Sequence, residues 1–479
     1  MDPVIKPEYV FDRDEEWAAL VRFATSPSAD VRLGIVSGRR RQGKTFLLDA
    51  LVQEAGGFYF TGLEETEAEA LARFGQRLAA RTGGGRYAFA NWDEALERLF
   101  AVVQEGIIVI DEFPYLTKAS PSLPSLIQHA LDPRGYIRRG NARLLLCGSA
   151  MGVMGKLLAG NAPLRGRASL EMVVKPLDYR ASAEFWGTDD PRLAVLVHSI
   201  VGGTPAYRRE FVAGDAPASM DDFDAWVLRT VLNRQMPLFR EARYLLAEEA
   251  DIRDMALYHA VLGAIAAGNA TRGGIANHIG RKSPDIGHPL AVLEDSHLIA
   301  READAFRKGK SLFRICEPLI VFYEAVMRSE WPRLERGRSE AAWHDSRARF
   351  LSQVVGPHFE GLCREWAMLA EAEVFGDFPG EVAAGTVADP VNRTQIEVDV
   401  AVLAPEEHGR PRRVLSLGEV KWDKVMTSGH VDRLRRARDL LSAKGYDTRG
   451  TVLACYSGAG FQEDIPRDVR LIGLESLYS

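Results

Sequence analysis

The chain has little cysteine. Its four cysteines in 479 residues, Cys147, Cys316, Cys363 and Cys455, lie far apart and form no C-x-x-C pair. That excludes a disulfide framework or a zinc-finger-type site and reads as reduced core thiols in a cytoplasmic protein. No apolar run approaches the ~18 residues of a membrane span. The opening Met1-Asp2-Pro3-Val4-Ile5-Lys6 lacks the charged and apolar regions of a secretory signal. Positive charge is not in excess either. The net charge is −6, so no global field attracts nucleic acid, and such a partner has to be argued from local patches. What remains is ordinary globular material, 46% hydrophobic and 26% charged, enough for about three domains at ~150 residues each.

The most specific segment is Gly38-Arg39-Arg40-Arg41-Gln42-Gly43-Lys44-Thr45, a full match to G-x-x-x-x-G-K-[ST]. An apolar run, residues 31–36, precedes it as a buried strand, and residues 46–52 open a helix after it. Strand, glycine loop and helix is the context in which this pattern binds phosphate. The glycines let backbone N–H groups close on phosphate oxygens, and the helix N-terminus adds its positive dipole end. Gly38, Arg40, Gln42, Gly43, Lys44, Thr45 and Phe46 are the candidate nucleotide contacts. Lys44 reaches the β- and γ-phosphates, and the Thr45 hydroxyl ligates Mg²⁺.

A second acidic strand follows at Gly106-Ile107-Ile108-Val109-Ile110-Asp111-Glu112. Its continuous apolar run suits a parallel strand buried on both faces. Asp111 is placed to hold the Mg²⁺ shell and Glu112 to polarise the attacking water. A third strand, residues 143–149, ends on Ser149, which is either a γ-phosphate sensor or the cap of the next helix. In Pro163-Leu164-Arg165-Gly166-Arg167, Arg165 and Arg167 either offset phosphoryl charge or sit on a surface loop. The Gly202-Gly203-Thr204-Pro205 turn, with Pro205 as a candidate contact, either covers the adenine or simply breaks the chain.

Taken in order, "GRRRQGKT", "IIVIDEFPYL", "LLLCGSA", "PLRGR" and "GGTPAY" resemble the archaeal-type ATPase family, a STAND-like branch of P-loop ATPases related to AAA+ proteins. The resemblance implies that residues 11–17 pack near the nucleotide base. It implies the phosphate and Mg²⁺ roles for Lys44, Thr45, Asp111 and Glu112, and more loosely sensor and arginine roles for Ser149, Arg165 and Arg167. Such proteins often act as nucleotide-gated switches with slow turnover, so ATP binding is expected ahead of rapid hydrolysis.

Residues 183–245 read as a helical lid. From Met255 the pattern is helix (255–267), a Thr271-capped helix (272–279), and a helix from Ser283-Pro284 to about Ser296, bent at Pro289. Strands at 298–301 and 311–315 follow, joined by the basic tip Phe306-Arg307-Lys308-Gly309-Lys310. This is a winged helix-turn-helix outline. Its basic tip either meets DNA phosphates or is a solvated loop. Residues 329–348 read as a connecting helix or linker.

The last part opens with a helix over 349–371 containing Phe359-Glu360-Gly361-Leu362-Cys363-Arg364-Glu365-Trp366. In strand 396–403 the two-residue period puts Glu397 and Asp399 on one face. In strand 414–422, Glu419 and Lys421 share a face. Neighbouring strands thus aim Asp399, Glu419 and Lys421 at one pocket. Two carboxylates suit a hard divalent cation, and the lysine orients a water or stabilises phosphoryl charge. The alternative is the solvated face of an edge strand. The set D…E-x-K resembles the PD-(D/E)XK nuclease superfamily, and "FEGLCREW", "EVDVAVLA" and "GEVKW" resemble the nuclease-like domain often fused to archaeal-type ATPases. That match adds Glu360 at the metal. Arg433, Arg435, Arg436 and Arg438 on a following helix either contact phosphates or form an exposed face.

The expected fold is an α/β P-loop NTPase with a parallel sheet (1–182), a helical lid (183–245), a winged helix-turn-helix (246–328), a linker (329–348) and a C-terminal α/β restriction-endonuclease-like domain (349–479). The expected function is an ATP-binding ATPase that regulates a Mg²⁺-dependent nuclease acting on DNA. The alternative is a nucleotide-switched regulator or scaffold whose last domain binds nucleic acid or protein without cutting. ATP, Mg²⁺ and DNA are the expected partners. A homo-oligomer or a protein partner stays open, and no membrane is involved.

Overall fold

The computed structural model describes residues 4–28, 32–247 and 254–479. Val31, which the sequence places in the first strand, and Met1-Asp2-Pro3 of the opening segment lie outside the described residues. The chain divides into two compact units, Met1–Pro176 with Thr204–Ala206, and Leu177–Gly203 with Tyr207–Ser479.

The first unit is built on a parallel sheet. After helix α1 (Asp14–Thr25) come β1 (Leu33–Ser37), helix α2 (Lys44–Ala55), β2 (Gly57–Thr61), β3 (Ile107–Asp111), β4 (Arg143–Gly148) and β5 (Ala168–Val173). The strand order is β2-β3-β4-β1-β5, every pair parallel. β1, β3 and β4 are buried at every position, as their unbroken apolar runs require of strands covered on both faces. Their side chains feed two cores. Ile108, Ile110, Leu144 and Leu146 join Phe60, Phe74 and Trp92 in one, while Ile107, Val109 and Leu145 join Trp17, Leu47 and Leu51 in the other. β4 separates β1 from β3, so the glycine loop after β1 and the acidic end of β3 open at the same edge of the sheet. α2 starts at Lys44, immediately after Gly43 in the left-handed conformation (φ 83°).

The second unit begins with helices that include α3 (Pro191–Val201). Helix Met255–Ala266 and the Thr271-capped helix Arg272–His278 form where the sequence indicates, the Thr271 hydroxyl accepting from Gly274 N–H at 3.0 Å. The third helix differs from expectation. A 3₁₀ turn, Ser283–Ile286, gives way to a separate helix, Gly287–Asp295. The break puts Pro289 in the first turn of the new helix, where no backbone donor is required, so no bend is needed. β6 (Ile299–Ala303) and β7 (Ser311–Ile315) then pair antiparallel. The base of their connection docks on the next sheet: Ala305 N–H donates to the Ala384 carbonyl at 3.0 Å, and the Phe306 ring packs edge-on to Tyr446.

Residues 329–348 are largely helical, in Arg328–Glu335 and Ser339–Phe350, and they carry a buried face. Trp343 and Phe350 pack with Phe322 in an aromatic cluster of tilted and edge-on rings. A π-turn, Leu351–Val355, leads into helix α4 (Gly356–Met368). The mixed sheet β12-β11-β10-β9-β8 follows, with β8 (Glu381–Asp389), β9 (Thr394–Leu403), β10 (Val414–Lys421), helix α5 (Ser428–Ala443), β11 (Val452–Ser457) and β12 (Arg470–Gly473). β8, β9 and β10 run antiparallel as a meander, while β10, β11 and β12 are parallel. α5 covers one face through Val431, Leu434, Ala437 and Leu441.

Candidate functional site

The glycine loop takes a conformation that side chains resist. Gly38 has φ 148°, and a Cβ there would lie 2.4 Å from the Val174 carbonyl oxygen. Lys44 is buried and donates to the Arg39 carbonyl at 2.8 Å. Burial lowers its pKa, while Cys147, Glu112 and Asp111 act in the opposite sense. Thr45 Oγ1 donates to Asp111 Oδ2 at 2.8 Å, so the hydroxyl of the loop and the carboxylate of β3 already share one locus. This pair fits a Mg²⁺ ion: two hard oxygens, one neutral and one anionic, lie beside the loop that cradles phosphate.

Glu112 occupies the left-handed region (φ 49°), uncommon for a non-glycine residue, and turns out of the strand. Its carboxylate accepts from the Ser149 hydroxyl at 3.1 and 3.2 Å. Ser149 therefore does not cap the following helix, whose N-cap is Ala150; it holds Glu112. Arg40 Nη2 donates to the Tyr115 hydroxyl at 2.9 Å. Gln42 Nε2 reaches Thr204 Oγ1 at 3.2 Å, which fixes the turn carrying Pro205 against the loop. Arg165 is exposed and donates to the Gly160 carbonyl at 2.5 Å, and Arg167 pairs with Asp132 at 3.0 Å. Phe46 is exposed and meets Tyr9 edge-to-face at 5.4 Å.

Sequence reasoning missed Tyr59, and within the 11–17 segment it did not single out Arg13. The Tyr59 hydroxyl donates to Asp111 Oδ2 at 2.7 Å, and burial followed by the Asp111 charge raises its pKa. The alternation in β2 buries Phe58 and Phe60 and turns Tyr59 the other way, but that it meets Asp111 depends on the pairing of β2 with β3. Arg13, also left-handed (φ 67°), bonds the carbonyls of Gln42 at 3.4 Å and Lys175 at 2.8 Å, tying the 11–17 segment to the loop.

In the second unit Asp399, Glu419 and Lys421 converge. β9 and β10 pair up to Val400 opposite Gly418 and then part, leaving room at their ends. Val420 N–H donates to Asp399 Oδ2 at 2.8 Å. Lys421 Nζ is 2.8 Å from Glu419 Oε1 and 3.9 Å from Asp399 Oδ2. Arg433 Nη1, from α5, is 3.0 Å from the same Glu419 Oε1. The Glu419 side chain is only 2% exposed, yet its other oxygen, Oε2, is buried with no hydrogen-bond partner. Burial, then Glu360 and Glu419, push the Asp399 pKa up to about 7. Burial also raises Glu360, whose carboxylate is 3.9 Å from Arg364. Among the described residues no group of three or more His, Cys, Asp or Glu side chains is placed to hold one ion. The two carboxylates and the orphan Oε2 still fit a hard cation that keeps several waters.

The four arginines of α5 part company. Arg433 faces Glu419, Arg436 is bidentate to the buried Asp389, Arg435 pairs with Asp432 and Arg438 with Asp439. Among the described residues no helix is long and apolar enough to cross a membrane, and Cys147, Cys316, Cys363 and Cys455 are free thiols.

Residues 10–207 match the model of an ATPase domain predominantly from Archaea. An uncharacterized protein of Methanocaldococcus jannaschii, MJECL04, is 26% identical over 359 residues, which is 74% of this chain and 76% of that one. Among solved structures, the Walker-type ATPase Paby2304 of Pyrococcus abyssi is similar over 68% of this chain and 98% of its own, at 21% identity and a TM-score of 0.49. The Aeropyrum pernix ORC2 protein, in its ADPNP–ADP complexes, is similar over 71% of this chain and 98% of its own, at 13% identity and a TM-score of 0.42. Residues 10–207 are thus an ATPase domain of archaeal type.

Proposed function

We propose that this chain is a nucleotide-regulated, Mg²⁺-dependent nuclease of PD-(D/E)XK type acting on DNA. In this reading the ATPase domain binds ATP through the 38–45 loop. Lys44 meets the β- and γ-phosphates, Thr45 and Asp111 hold Mg²⁺, and Glu112, steadied by Ser149, orients the attacking water. Residues 255–315 act as a winged helix whose tip, Arg307, Lys308 and Lys310, meets a phosphate backbone.

The observation that carries the nuclease reading is Glu419 Oε2. A buried carboxylate oxygen without a donor costs free energy unless something electropositive completes it. Asp399 lies beside it, and a divalent cation held by the two would supply a Lewis acid and a water ionised near neutral pH. Lys421, in contact with both carboxylates, orients that water and neutralises charge developing on the phosphoryl oxygens. Arg433, half-exposed, is placed to meet a phosphate at the mouth of the site. Titration of plasmid cleavage with Mg²⁺ and Mn²⁺ tests this. Cleavage by the wild type that disappears in Asp399→Ala and in Lys421→Ala supports it, and cleavage that survives both substitutions refutes it.

A regulator or scaffold that binds without cutting is the second reading. It is favoured by the absence, among the described residues, of a three-ligand cluster and by the two cations already engaging Glu419 Oε1. No cleavage with any metal, nucleotide or DNA form selects it.

A further inference from the structure

Asp111 is a buried carboxylate that gathers donors from three elements of the first unit. Its Oδ1 accepts from Glu112 N–H at 2.8 Å. Its Oδ2 accepts from Thr45 Oγ1 of α2 at 2.8 Å and from the Tyr59 hydroxyl of β2 at 2.7 Å. An ionised carboxylate only accepts, with about two lone pairs on each oxygen, so both hydroxyls donate and together they fill Oδ2. Thr45 has one proton and spends it there, which leaves its own lone pairs for a cation. Hydrogen bonds to a charged acceptor are the strong kind, and Asp111 is held by three of them.

Neither the glycine-loop pattern nor the acidic strand calls for Tyr59. In the parallel pair of β2 with β3, Tyr59 stands opposite Val109 and Thr61 opposite Asp111. The hydroxyl therefore crosses to Asp111 on a diagonal of two residues, ~6.6 Å along the strand, a span for a phenol and too long for a serine or threonine. The ring packs against the core that contains Leu47, Leu51 and Val109. The Tyr59 carbonyl accepts from Arg77 Nε at 3.1 Å, which steadies the strand at the same point. On its other side Asp111 holds the N–H of Glu112, the left-handed residue whose carboxylate accepts from Ser149. A turn of the Asp111 carboxylate would thus disturb both Thr45 and Glu112.

We propose that Tyr59 is a positioning residue for the Mg²⁺ that accompanies ATP: it holds the Asp111 carboxylate in one orientation and so selects Mg²⁺ over Ca²⁺. The inference rests on the Mg²⁺ roles given to Thr45 and Asp111 above. Mg²⁺ demands near-ideal octahedral geometry, whereas Ca²⁺ accepts more oxygens in flexible arrangements. Without the phenol, Oδ2 keeps a buried lone pair with no donor, a cost that the carboxylate relieves by turning about its Cβ–Cγ bond. A carboxylate that turns serves Ca²⁺ nearly as well as before and Mg²⁺ less well. Placement outweighs the greater basicity of the freed oxygen because Mg²⁺ gives up its waters reluctantly.

Equilibrium binding of a non-hydrolysable ATP analogue to the full chain, in EDTA, in Mg²⁺ and in Ca²⁺, tests this. In the wild type Mg²⁺ tightens binding more than Ca²⁺ does. Tyr59→Phe keeps the ring and binds the analogue in EDTA as the wild type does. It loses about tenfold of the Mg²⁺ gain, the worth of one hydrogen bond to a charged group, and keeps most of the Ca²⁺ gain. A wild type that responds to both ions alike overturns the proposal. So do equal losses with both ions, which loosened packing produces, and a Mg²⁺ gain that is unchanged or larger. Asp111→Asn separates premise from inference. If Mg²⁺ tightens the wild type but not Asp111→Asn, the Mg²⁺ roles stand and Tyr59→Phe alone decides. If Asp111→Asn keeps the whole gain, or the wild type has none, those roles fall and the proposal falls with them. Thermal melting in EDTA checks that the variants fold. Should Tyr59→Phe fail to fold, a fluorine placed ortho to the Tyr59 hydroxyl decides the matter. Its resonance shifts when Mg²⁺ joins the bound analogue, and a resonance that stays in place overturns the proposal.

Discussion

Asp399→Asn should stabilise the metal-free chain at alkaline pH. Burial, and then the Glu360 and Glu419 carboxylates, raise the Asp399 pKa from 3.8 to about 7. In the unfolded chain the same carboxyl ionises near pH 4. The folded state therefore gives up stability as pH climbs from about 4 to about 7; the penalty is absent below that window and complete above it. At ~1.4 kcal/mol per pH unit this amounts to about 4 kcal/mol. An asparagine carries no charge to desolvate, and its amide oxygen still accepts the 2.8 Å bond from Val420 N–H. The attraction to Lys421 at 3.9 Å is already contained in that shift and is not subtracted again. The net expectation is a gain of about 4 kcal/mol at pH 8, shrinking to nothing near pH 4. Scanning calorimetry of wild type and Asp399→Asn in EDTA at several pH values measures it, read on the transition of the second unit because a chain with two units need not melt in one step. Added Mg²⁺ should reverse the ranking by stabilising only the wild type through binding. A variant that melts at or below the wild type at pH 8 in EDTA, or an offset that does not change with pH, refutes the reasoning.

Other substitutions probe the remaining features. Lys44→Ala should weaken ATP binding at least ~10-fold by equilibrium titration, since a charged contact to the β- and γ-phosphates worth over ~1.4 kcal/mol disappears. Glu112→Gln should keep ATP binding but slow hydrolysis by about 10²-fold in a phosphate-release assay, the usual contribution of a positioned base. Trp343→Ala, in the buried aromatic cluster of the 339–350 helix, should cost about 3–5 kcal/mol in denaturant unfolding; a change near zero would mean this segment is a loose tether. Arg436→Ala should lower the melting temperature at pH 7, with the deficit closing as pH falls below about 4. Arg436 holds Asp389 well below the usual carboxylate range, so that stabilisation is complete above the unfolded carboxyl's pKa near ~4 and is lost progressively as pH falls from there toward the lower folded value.

The parts of the molecule that could be read from the sequence are those where backbone geometry or periodicity limits the choice. Positive φ at Gly38 and Gly43 is the conformation the loop needs, so the spacing of those glycines gave the site away. Burial of β1, β3 and β4 on both faces follows from unbroken apolar runs. Glu419 and Lys421 share a face because strands repeat every two residues, and that rule needs no tertiary information. What stayed hidden depends on register and on contacts distant in sequence. Nothing local says that Tyr59 reaches Asp111, because that follows from β2 pairing with β3 in one particular register. Pro284 and Pro289 both signal helix starts, and sequence alone merged two short helical turns into one bent helix. The arginines of α5 look alike in the sequence, yet Arg436 is bidentate to a buried carboxylate while Arg433 faces the candidate metal site.

Glu419 shows why the second site is hard to explain as scaffolding. Its neighbour across the parallel pair is Cys455, whose thiol is pushed up to about 11 by burial and by the Glu419 charge. An ion pair in such a place is rarely a net gain over apolar residues of the same volume, because desolvation offsets the attraction. A purely structural strand would satisfy this position with a valine or leucine, as it does at Leu417 two residues earlier on the same face. Instead the strand keeps an anion there, recruits Lys421 and Arg433 to one of its oxygens, and leaves the other bare. Lys421 spends its ammonium between two carboxylates, near the place a hard cation would take. On the proposed reading, a cation at the bare oxygen would balance this arrangement. On that argument Glu419→Gln should raise metal-free stability while removing every effect of Mg²⁺ on the second unit's melting. A variant that still responds to Mg²⁺ would place the ion elsewhere.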